Sequence, residues 1–176
     1  MAIDLEAEAM VRNGPSFQQD FESFYARERR AVMGLAYVLS GSRSGAEDLA
    51  QEAFVAAYRR WEQVSTYDDP GAWIRRVVAN KAMSWLRRRG AEARALLRIG
   101  EGRHTIAPLD DESELVWQEV RHLPARQAQV VALRYLDGQD VVDIARILGC
   151  TENTVRTHLR RGRETLARRL ADKESP

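Results

Sequence analysis

The sequence predicts an all-α protein with two small helical domains joined by a linker, the second domain carrying a helix-turn-helix. Apolar residues recur at steps of three and four along nearly all of the 176 residues, which is the period of an amphipathic helix. No run of β-branched residues alternates with polar residues over the length of a strand. The helical period fails between Arg98 and Asp111, a stretch with glycines and a proline that is typical of a linker.

These interruptions predict four segments: an N-terminal tail over residues 1–15, a first domain over 16–97, the linker over 98–111 and a second domain over 112–173. A domain of this size buries only about 60% of the surface that its unfolded chain exposes. We therefore expect each domain to be only marginally stable by itself.

Start and stop signals predict three helices in the first domain. The first is capped by Ser16 and ends at Ser40-Gly41. The second begins at the capping-box pattern Ser44-Gly45-Ala46-Glu47, and the third begins at Asp69-Pro70. The third helix runs into Arg87-Arg88-Arg89-Gly90. The apolar faces expected for the three helices are, in order, Phe17, Phe21, Phe24, Val32, Leu35 and Leu39; Leu49, Ala50, Ala53, Phe54, Ala57 and Trp61; and Trp73, Ile74, Val77, Val78, Ala82, Trp85 and Leu86.

The second domain ends in two helices joined by a tight turn. Asp140 caps the first of them, the turn is Gly149-Cys150-Thr151, and Thr151 caps the second. This arrangement is the helix-turn-helix pattern, although many helical hairpins look similar. Two helices are expected before it, and the apolar positions of all four are, in order, Leu115, Val116 and Val120; Ala128, Val131, Ala132, Tyr135 and Leu136; Val141, Ile144, Ala145 and Leu148; and Val155, Leu159, Leu166 and Leu170.

The last helix offers a surface that suits the major groove of DNA. With Val155 at the centre of its buried face and 100° per residue, the polar positions cluster on the opposite side. They are Asn153, Arg156, Thr157, Arg160 and Glu164, with Arg161 at the edge and His158 nearer the core. Arginine forks read guanine edges and also bind phosphates. The alternative is a solvent-exposed face, but such a face usually mixes charges of both signs, and this one is mostly arginine.

The net charge of +1 hides two basic stretches. Between Arg75 and Arg103 there are nine basic residues and two acidic ones. Between Arg156 and Lys173 there are seven basic residues and two acidic ones. Two such patches in an otherwise neutral chain suggest a polyanionic partner, and a pair of solvated helix faces is the alternative. The single cysteine excludes an internal disulfide, and the three histidines lack metal-ligand spacing, so no metal or cofactor is expected. No secretory signal or membrane span is visible, so we expect a cytoplasmic protein.

Five motifs together resemble one protein family from about Phe17 to Leu170. They are Ala46-Glu47-Asp48-Leu49-Ala50-Gln51-Glu52-Ala53-Phe54, Pro70-Gly71-Ala72-Trp73-Ile74-Arg75-Arg76-Val77-Val78-Ala79-Asn80, Leu123-Pro124, Asp140-Val141-Val142-Asp143-Ile144-Ala145 and Thr154-Val155-Arg156-Thr157-His158-Leu159-Arg160-Arg161-Gly162-Arg163. In this order and across this linker, they resemble the extracytoplasmic-function sigma factors of bacterial RNA polymerase. The first domain resembles sigma region 2 and the second resembles sigma region 4.

The resemblance implies core RNA polymerase and promoter DNA as partners and no chemistry of the chain's own. Asp48, Gln51 and Glu52 lie at the surface that docks on the β′ clamp helices in the family, and region 4 docks on the β flap. An ordinary acidic helix start is the alternative for Asp48. An anti-sigma factor is a candidate further partner.

The resemblance also assigns promoter contacts. For the melted minus-ten element it implies a basic track at Arg75, Arg76, Lys81, Arg87 and Arg88, a base-edge contact at Asn80 and a stacking residue at Tyr67. Trp73 and Trp85 fall on the apolar side of the same helix, so we expect both to pack in the core. For the minus-thirty-five element it implies Asn153, Arg156, Thr157, Arg160 and Arg161.

Two other classes of protein are compatible with parts of the sequence. A transcription regulator could use the same helix-turn-helix on operator DNA as a dimer, but its first half would bind a ligand or accept phosphate. The first half here instead shows a basic helix with adjacent tryptophans and no strand-rich receiver pattern. An enzyme acting on nucleic acid would need clustered carboxylates or a nucleophile beside a base, and neither is visible.

Overall fold

The computed structural model describes the backbone of residues 15–96 and 111–174, with side chains described for residues 17–85 and 113–172. Every regular element in these ranges is a helix, which confirms the all-α prediction. None of the helices in these ranges is long and apolar enough to cross a membrane. The helices are α1 (Pro15–Ser40), α2 (Arg43–Arg59), α3 (Trp61–Val64), α4 (Pro70–Leu96), α5 (Asp111–Arg121), α6 (Ala125–Tyr135), α7 (Val141–Leu148) and α8 (Glu152–Glu174).

The first domain packs α1, α2 and α4 around an apolar core. Phe24 on α1 is 1% exposed and meets the Trp61 ring at a centroid distance of 4.8 Å. The predicted stripe of α2 is buried through Ala57, but Trp61 belongs to the separate short helix α3. Trp73 and Trp85 pack against this core, as expected for both.

The start of α2 differs from its prediction. Gly41 has a φ of +74°, which turns the chain so that Ser42 becomes the extended residue before the helix. The Ser42 hydroxyl accepts a hydrogen bond from the Gly45 backbone N–H at 3.2 Å. The predicted capping box at Ser44 is therefore wrong by two residues, and Glu47 pairs with Arg43 at 3.0 Å instead of reaching back to a cap.

The start of α4 agrees with its prediction, whereas its end lies further on. The Asp69 carboxylate accepts a hydrogen bond from the Ala72 N–H at 2.8 Å, so it caps the helix that begins at Pro70. The helix continues past Gly90 to Leu96, because one glycine costs a helix only about 1 kcal/mol and no second stop signal follows it. The predicted linker lies outside the described residues except Asp111, which begins α5.

The helix-turn-helix forms as predicted. The Asp140 carboxylate accepts from the Asp143 N–H at 2.8 Å and caps α7, while the Thr151 hydroxyl accepts from the Thr154 N–H at 3.2 Å and caps α8. Gly149 ends α7 with a φ of +64°, a left-handed conformation that favours glycine. Val155 is fully buried, so the outward face of α8 is oriented as the 100° spacing of its residues predicted.

The apolar face predicted for α5 is wrong in part. Leu115 and Val116 are exposed, whereas Glu114 and Glu119 are buried. The carboxylates can be buried because each has cationic partners. Glu114 accepts hydrogen bonds from Arg121 and from the Tyr37 hydroxyl, and Glu119 is within 3.5 Å of Arg169. Tyr135 of α6 is also exposed, since it occupies the last turn of the helix, where the chain leaves the core.

We predict that Glu114→Gln lowers the free energy of unfolding by about 2 kcal/mol, because the largely buried Arg121 side chain loses its charge-assisted hydrogen bond. Glu62→Gln, which changes an exposed glutamate of α3, is the matched control and should have almost no effect. Urea unfolding of both variants measures the difference. Equal unfolding midpoints for the two variants would contradict a structural role for Glu114.

The two domains are in direct contact, which the sequence did not predict. The buried Gln129 amide of α6 donates to the Ala79 carbonyl of α4 at 2.9 Å. Arg121 of α5 donates to the Val38 carbonyl of α1 at 3.2 Å, and Tyr37 of α1 reaches Glu114 of α5 at 3.3 Å. Burial, together with the Glu114 carboxylate, raises the pKa of Tyr37, so this hydroxyl remains a donor.

Candidate nucleic-acid interface

The five residues predicted for upstream DNA lie on the outward side of α8. Four of them are exposed and Thr157 is half-buried, with Val155 buried behind them. The full set is Asn153, Arg156, Thr157, Arg160 and Arg161. This arrangement can present guanidinium and amide groups to a DNA groove.

The charge pattern of this face differs from its prediction. Arg156 pairs with Glu152 at 2.7 Å, and Arg160 pairs with Glu164 at 2.8 Å, both one helical turn apart. The face therefore has the i,i+4 pairs of opposite charge that are usual on a solvent-exposed face, although arginine still outnumbers glutamate on it. An exposed pair of this kind contributes about 0.3–0.5 kcal/mol, so a phosphate or guanine can replace the glutamate at small cost.

His158 is half-buried beside this face, and its Nδ1 atom is buried without a hydrogen-bond partner among the described residues. Burial lowers the pKa of His158, and the positive charges of Arg161 and Arg126 lower it further. The folded protein therefore favours the neutral imidazole, which agrees with the packing role expected from the sequence.

We predict that the lowered pKa makes the second domain less stable in mild acid. The unfolded chain protonates His158 near its ordinary pKa of about 6.5, whereas the fold resists protonation. The free energy of unfolding is therefore highest above the ordinary pKa, and it decreases as the pH drops from there toward the lower pKa of the folded protein. His158→Gln should flatten the decline of the thermal unfolding midpoint between about pH 7.5 and 5.5. Identical pH profiles for the two proteins would contradict this assignment.

The residues predicted for minus-ten DNA fall in different surroundings. Asn80 is exposed and Tyr67 is 37% exposed in the loop before α4, so both are accessible. Lys81 pairs with Glu52 of α2 at 2.6 Å. The side chains of Arg87 and Arg88 lie outside the described residues, and their assignment stays a prediction.

Arg75 and Arg76 contact the second domain. The Arg75 guanidinium is within 2.8 Å of Glu28 on α1 and 2.6 Å of Asp137, which follows α6. Burial opposes its charge, but the hydrogen bonds and charges of these two carboxylates outweigh that effect and raise the pKa of Arg75. Arg76 donates to the carbonyls of Ile147 at 2.5 Å and Arg146 at 2.6 Å, at the end of α7. In this arrangement neither arginine lines an open track.

The predicted acidic docking face is intact on α2. Asp48, Gln51 and Glu52 are exposed together, with Leu49 and Ala53 buried behind them. Beside this face lies a groove of about 620 Å³ between α1 and α2, which the sequence analysis did not identify. The aromatic residues of α1 and α2 were the feature of the sequence that could have indicated this groove. The groove is lined chiefly by Phe21, Tyr25, Met33, Gln51, Phe54, Val55 and Tyr58.

Family models match both halves of the chain. The model of sigma-70 region 2 matches residues 24–92, and the model of sigma-70 region 4 matches residues 113–166. The chain belongs to the sigma-70 family. It is a sigma factor rather than an operator-binding regulator, because a region 2 precedes its helix-turn-helix.

Curated relatives of this sigma factor carry the extracytoplasmic-function description. The sigma factor SigW of Bacillus subtilis is 28% identical, over 80% of this chain and 83% of its own length. SigM of Mycobacterium tuberculosis (strain ATCC 25618 / H37Rv) is 28% identical, over 94% of this chain and 84% of its own length. The sigma-E factor of Haemophilus influenzae is 29% identical, over 97% of this chain and 98% of its own length. The resemblance seen in the motifs is thereby confirmed.

Two solved structures share the fold of this sigma factor. The sigma factor RpoE from Bartonella quintana, solved with the anti-sigma factor NepR, has a TM-score of 0.71 at 24% identity, covering 90% of this chain and 99% of that one. CnrH, solved with the cytosolic domain of CnrY, has a TM-score of 0.65 at 23% identity, covering 95% and 96%. At these identities the similarity shows the two-domain helical fold.

Proposed function

We propose that this sigma factor docks on core RNA polymerase through region 2, reads the upstream promoter element with α8 and opens the minus-ten element with α4. The observation that carries the proposal is the coexistence of an exposed acidic face on α2 and an outward arginine face on α8 in one sigma-70 chain. We assign region 2 to residues 16–97, the linker to 98–111 and region 4 to 112–173.

The docking assignment gains support from the groove next to the acidic face. Tyr25, Val55 and Tyr58 are about 40% exposed there, which is unusual for such large apolar side chains. A helix with an apolar stripe fits a groove of this shape, and basic residues on that helix would meet Glu47 and the neighbouring acidic face, whereas Arg29 and Arg59 on the rim would meet its acidic residues. The clamp helices of the β′ subunit are the proposed occupant, and the β flap is the proposed contact of region 4.

Promoter reading follows from the outward face of α8. Arg156 lies in the first turns of the recognition helix, where side chains reach base edges in the major groove. Asn153 and Thr157 flank it as short polar contacts, and Arg160 and Arg161 are placed to reach phosphates. Tyr67 and Asn80 are the accessible residues of region 2 that can stack on a displaced base or bind its edge.

We assign no catalytic activity to this chain, because sigma factors direct initiation by binding while the polymerase does the chemistry. The protein therefore works in the cytoplasm, where the polymerase transcribes. Because two structural neighbours are complexes with an anti-sigma factor or the cytosolic domain of a partner protein, we also propose an anti-sigma factor as a regulator of this chain.

Core binding is the direct test of this function. Fluorescently labelled protein titrated with sigma-free core polymerase should form an equimolar complex, and an excess of unlabelled protein should displace it. A chain that does not bind core polymerase is not acting as a sigma factor, whatever DNA it binds.

We predict that Arg87→Gln with Arg88→Gln slows open-complex formation on duplex promoter about tenfold and weakens binding to a pre-melted fork much less. On a fork the cost of unstacking, a few kcal/mol, is already met, so the melting surface has less to contribute. Permanganate footprinting on the duplex and fork binding measure the two quantities. Arg168→Gln, an exposed arginine near the end of α8, is the control. Equal losses on both templates would mean that these arginines contact only duplex phosphates.

A further inference from the structure

A largely buried ion pair joins α1 to the start of α4 within region 2. The Glu28 side chain on α1 is 11% exposed, and the Arg75 side chain on α4 is 13% exposed. The Arg75 Nη1 atom donates to Glu28 Oε2 at 2.8 Å, and the Arg27 Nε atom donates to Glu28 Oε1 at 3.0 Å. Both oxygens of this carboxylate are therefore paired by residues of region 2. Removing one partner of a buried ion pair is strongly destabilising, so this contact fixes the first turns of α4 on α1.

The same ion pair lies beside the cap of α4. A Cβ added at Gly71 would lie 2.8 Å from the Arg75 Nη1 atom and 3.2 Å from the Glu28 Oε1 atom. The same point lies 3.1 Å from Asp69 Oδ1, the atom that accepts the capping hydrogen bond from Ala72. The guanidinium and the two carboxylates therefore meet at the first turn of the helix, in space that only a glycine at position 71 leaves open.

The loop between α3 and α4 is anchored at both of its ends. We call residues 65–69 the capture loop, because its exposed Tyr67 is the residue proposed to stack on a displaced base. Before the loop, Val64 is fully buried, and its carbonyl accepts from the Tyr67 N–H at 3.2 Å. At the end of the loop, the capping residue Asp69 lies beside the ion pair. The position of the Tyr67 ring thus depends on one anchor in the core and on one anchor at the ion pair.

We propose that the Glu28–Arg75 ion pair positions the capture loop for the displaced minus-ten base, and that Arg75 acts through this loop and not as a contact with the DNA backbone. The inference rests on the proposed function for its consequence, whereas the ion pair and the loop are features of the free chain. Glu28 and Arg75 are accordingly positioning residues, and Tyr67 is the residue that meets the base.

The surroundings of Arg75 favour positioning over a contact with a phosphate. Its Nη1 atom donates to Glu28 at 2.8 Å, and its Nε and Nη2 atoms donate to Asp137 at 2.6 Å and 3.5 Å. A phosphate can therefore reach this guanidinium only by displacing a carboxylate from a largely buried site. Asn80, in contrast, is exposed on the same helix and can contact the strand without such an exchange.

The test compares two forked promoter templates bound by the holoenzyme, which is core polymerase with this chain. One fork has an intact minus-ten strand, and the other has an abasic nucleotide at the position where the loss of a base costs the wild type most. Glu28→Gln should bind the intact fork about tenfold less tightly than the wild type, because the stacking of the captured base is lost. It should bind the abasic fork as tightly as the wild type does. Glu22→Gln, which changes an exposed glutamate on the same helix, should leave both affinities unchanged.

Positioning and backbone contact predict opposite results for Glu28→Gln. If Arg75 contacts the backbone, loss of the Glu28 carboxylate frees its guanidinium and tightens binding to both forks. Unchanged or tighter binding to the intact fork, or an equal loss on both forks, overturns the proposal. If Glu28→Gln does not fold, Gly71→Ala decides the question. Its added methyl group keeps every charge and displaces the guanidinium, so it should weaken binding to the intact fork alone.

Hydrogen exchange on the free chain separates this proposal from the proposed function. The Ala72 N–H donates to the Asp69 carboxylate at 2.8 Å, and the Trp73 N–H donates to the Asp69 carbonyl at 3.3 Å, so both amides should exchange slowly. Exchange at these two amides should be about fivefold faster in Glu28→Gln than in Glu22→Gln. Faster exchange in a chain whose holoenzyme binds no fork supports the ion pair as an anchor and counts against the proposed function. Equal exchange in the two variants overturns the ion pair as an anchor of the capture loop.

Discussion

Charge reversal of the acidic face, Asp48→Lys with Glu52→Lys, is expected to weaken binding to core polymerase at least about a hundredfold, or on the order of 3 kcal/mol. Both residues are exposed on α2 beside the apolar groove, while Leu49 and Ala53 behind them hold the helix in place. Reversal replaces attraction to a basic partner helix with repulsion and leaves the core of region 2 unchanged.

The Lys81–Glu52 ion pair requires its own control. Glu52→Lys breaks this exposed 2.6 Å contact with α4 and places two cations together at the surface, an effect that must be separated from the loss of docking. Lys81→Ala removes the same ion pair and leaves the acidic face intact, so it should bind core polymerase normally. Circular dichroism on the double variant checks the fold. Undiminished affinity for core polymerase would show that α2 is not the docking surface.

Loss of the Arg156 side chain is expected to cost about 1–3 kcal/mol on the cognate promoter and to relax the base preference at one upstream position. The Glu152 contact at 2.7 Å must be exchanged for the DNA contact, but it is an exposed pair of small value. A phosphate contact would instead weaken binding to every sequence alike. The measurement is transcription from a promoter library randomised across the upstream element.

The structure identifies the better control for this experiment. Arg169 lies near the buried Glu119 at 3.5 Å, so its removal would also disturb region 4. Arg168 is exposed in the same part of α8, beyond the turns expected to enter the groove, and Arg168→Ala should leave the base preferences unchanged. If Arg156→Ala also leaves them unchanged, the reading edge of the helix must be sought around Asn153 and Arg160.

Local features of this fold are predictable because they depend on neighbours in sequence. Asp69, Asp140 and Thr151 each cap the helix that begins one residue later, since a short polar side chain can reach a backbone N–H three residues on. The cap at Ser42 was not predicted, because it depends on the left-handed backbone conformation of Gly41. The spacing of residues does not show that this conformation moves the helix start to Ser42.

The contact between the regions is not predictable in the same way, because its partners are 50 to 83 residues apart in sequence. The sequence predicts that Arg75 belongs to a basic patch, but in the fold its charge is neutralised by Glu28 and Asp137. One signal was present: Glu28 occupies the helical stripe between Phe24 and Val32, where a carboxylate must have a buried partner.

Run-off transcription tests the central claim most directly. Core polymerase free of other sigma factors is combined with this chain and a library of genomic fragments, with no activator that hydrolyses ATP. The account predicts discrete transcripts that begin at fixed sites, that require this chain and that are lost with Asp48→Lys and Glu52→Lys. Core polymerase that produces the same transcripts with and without the chain would contradict it.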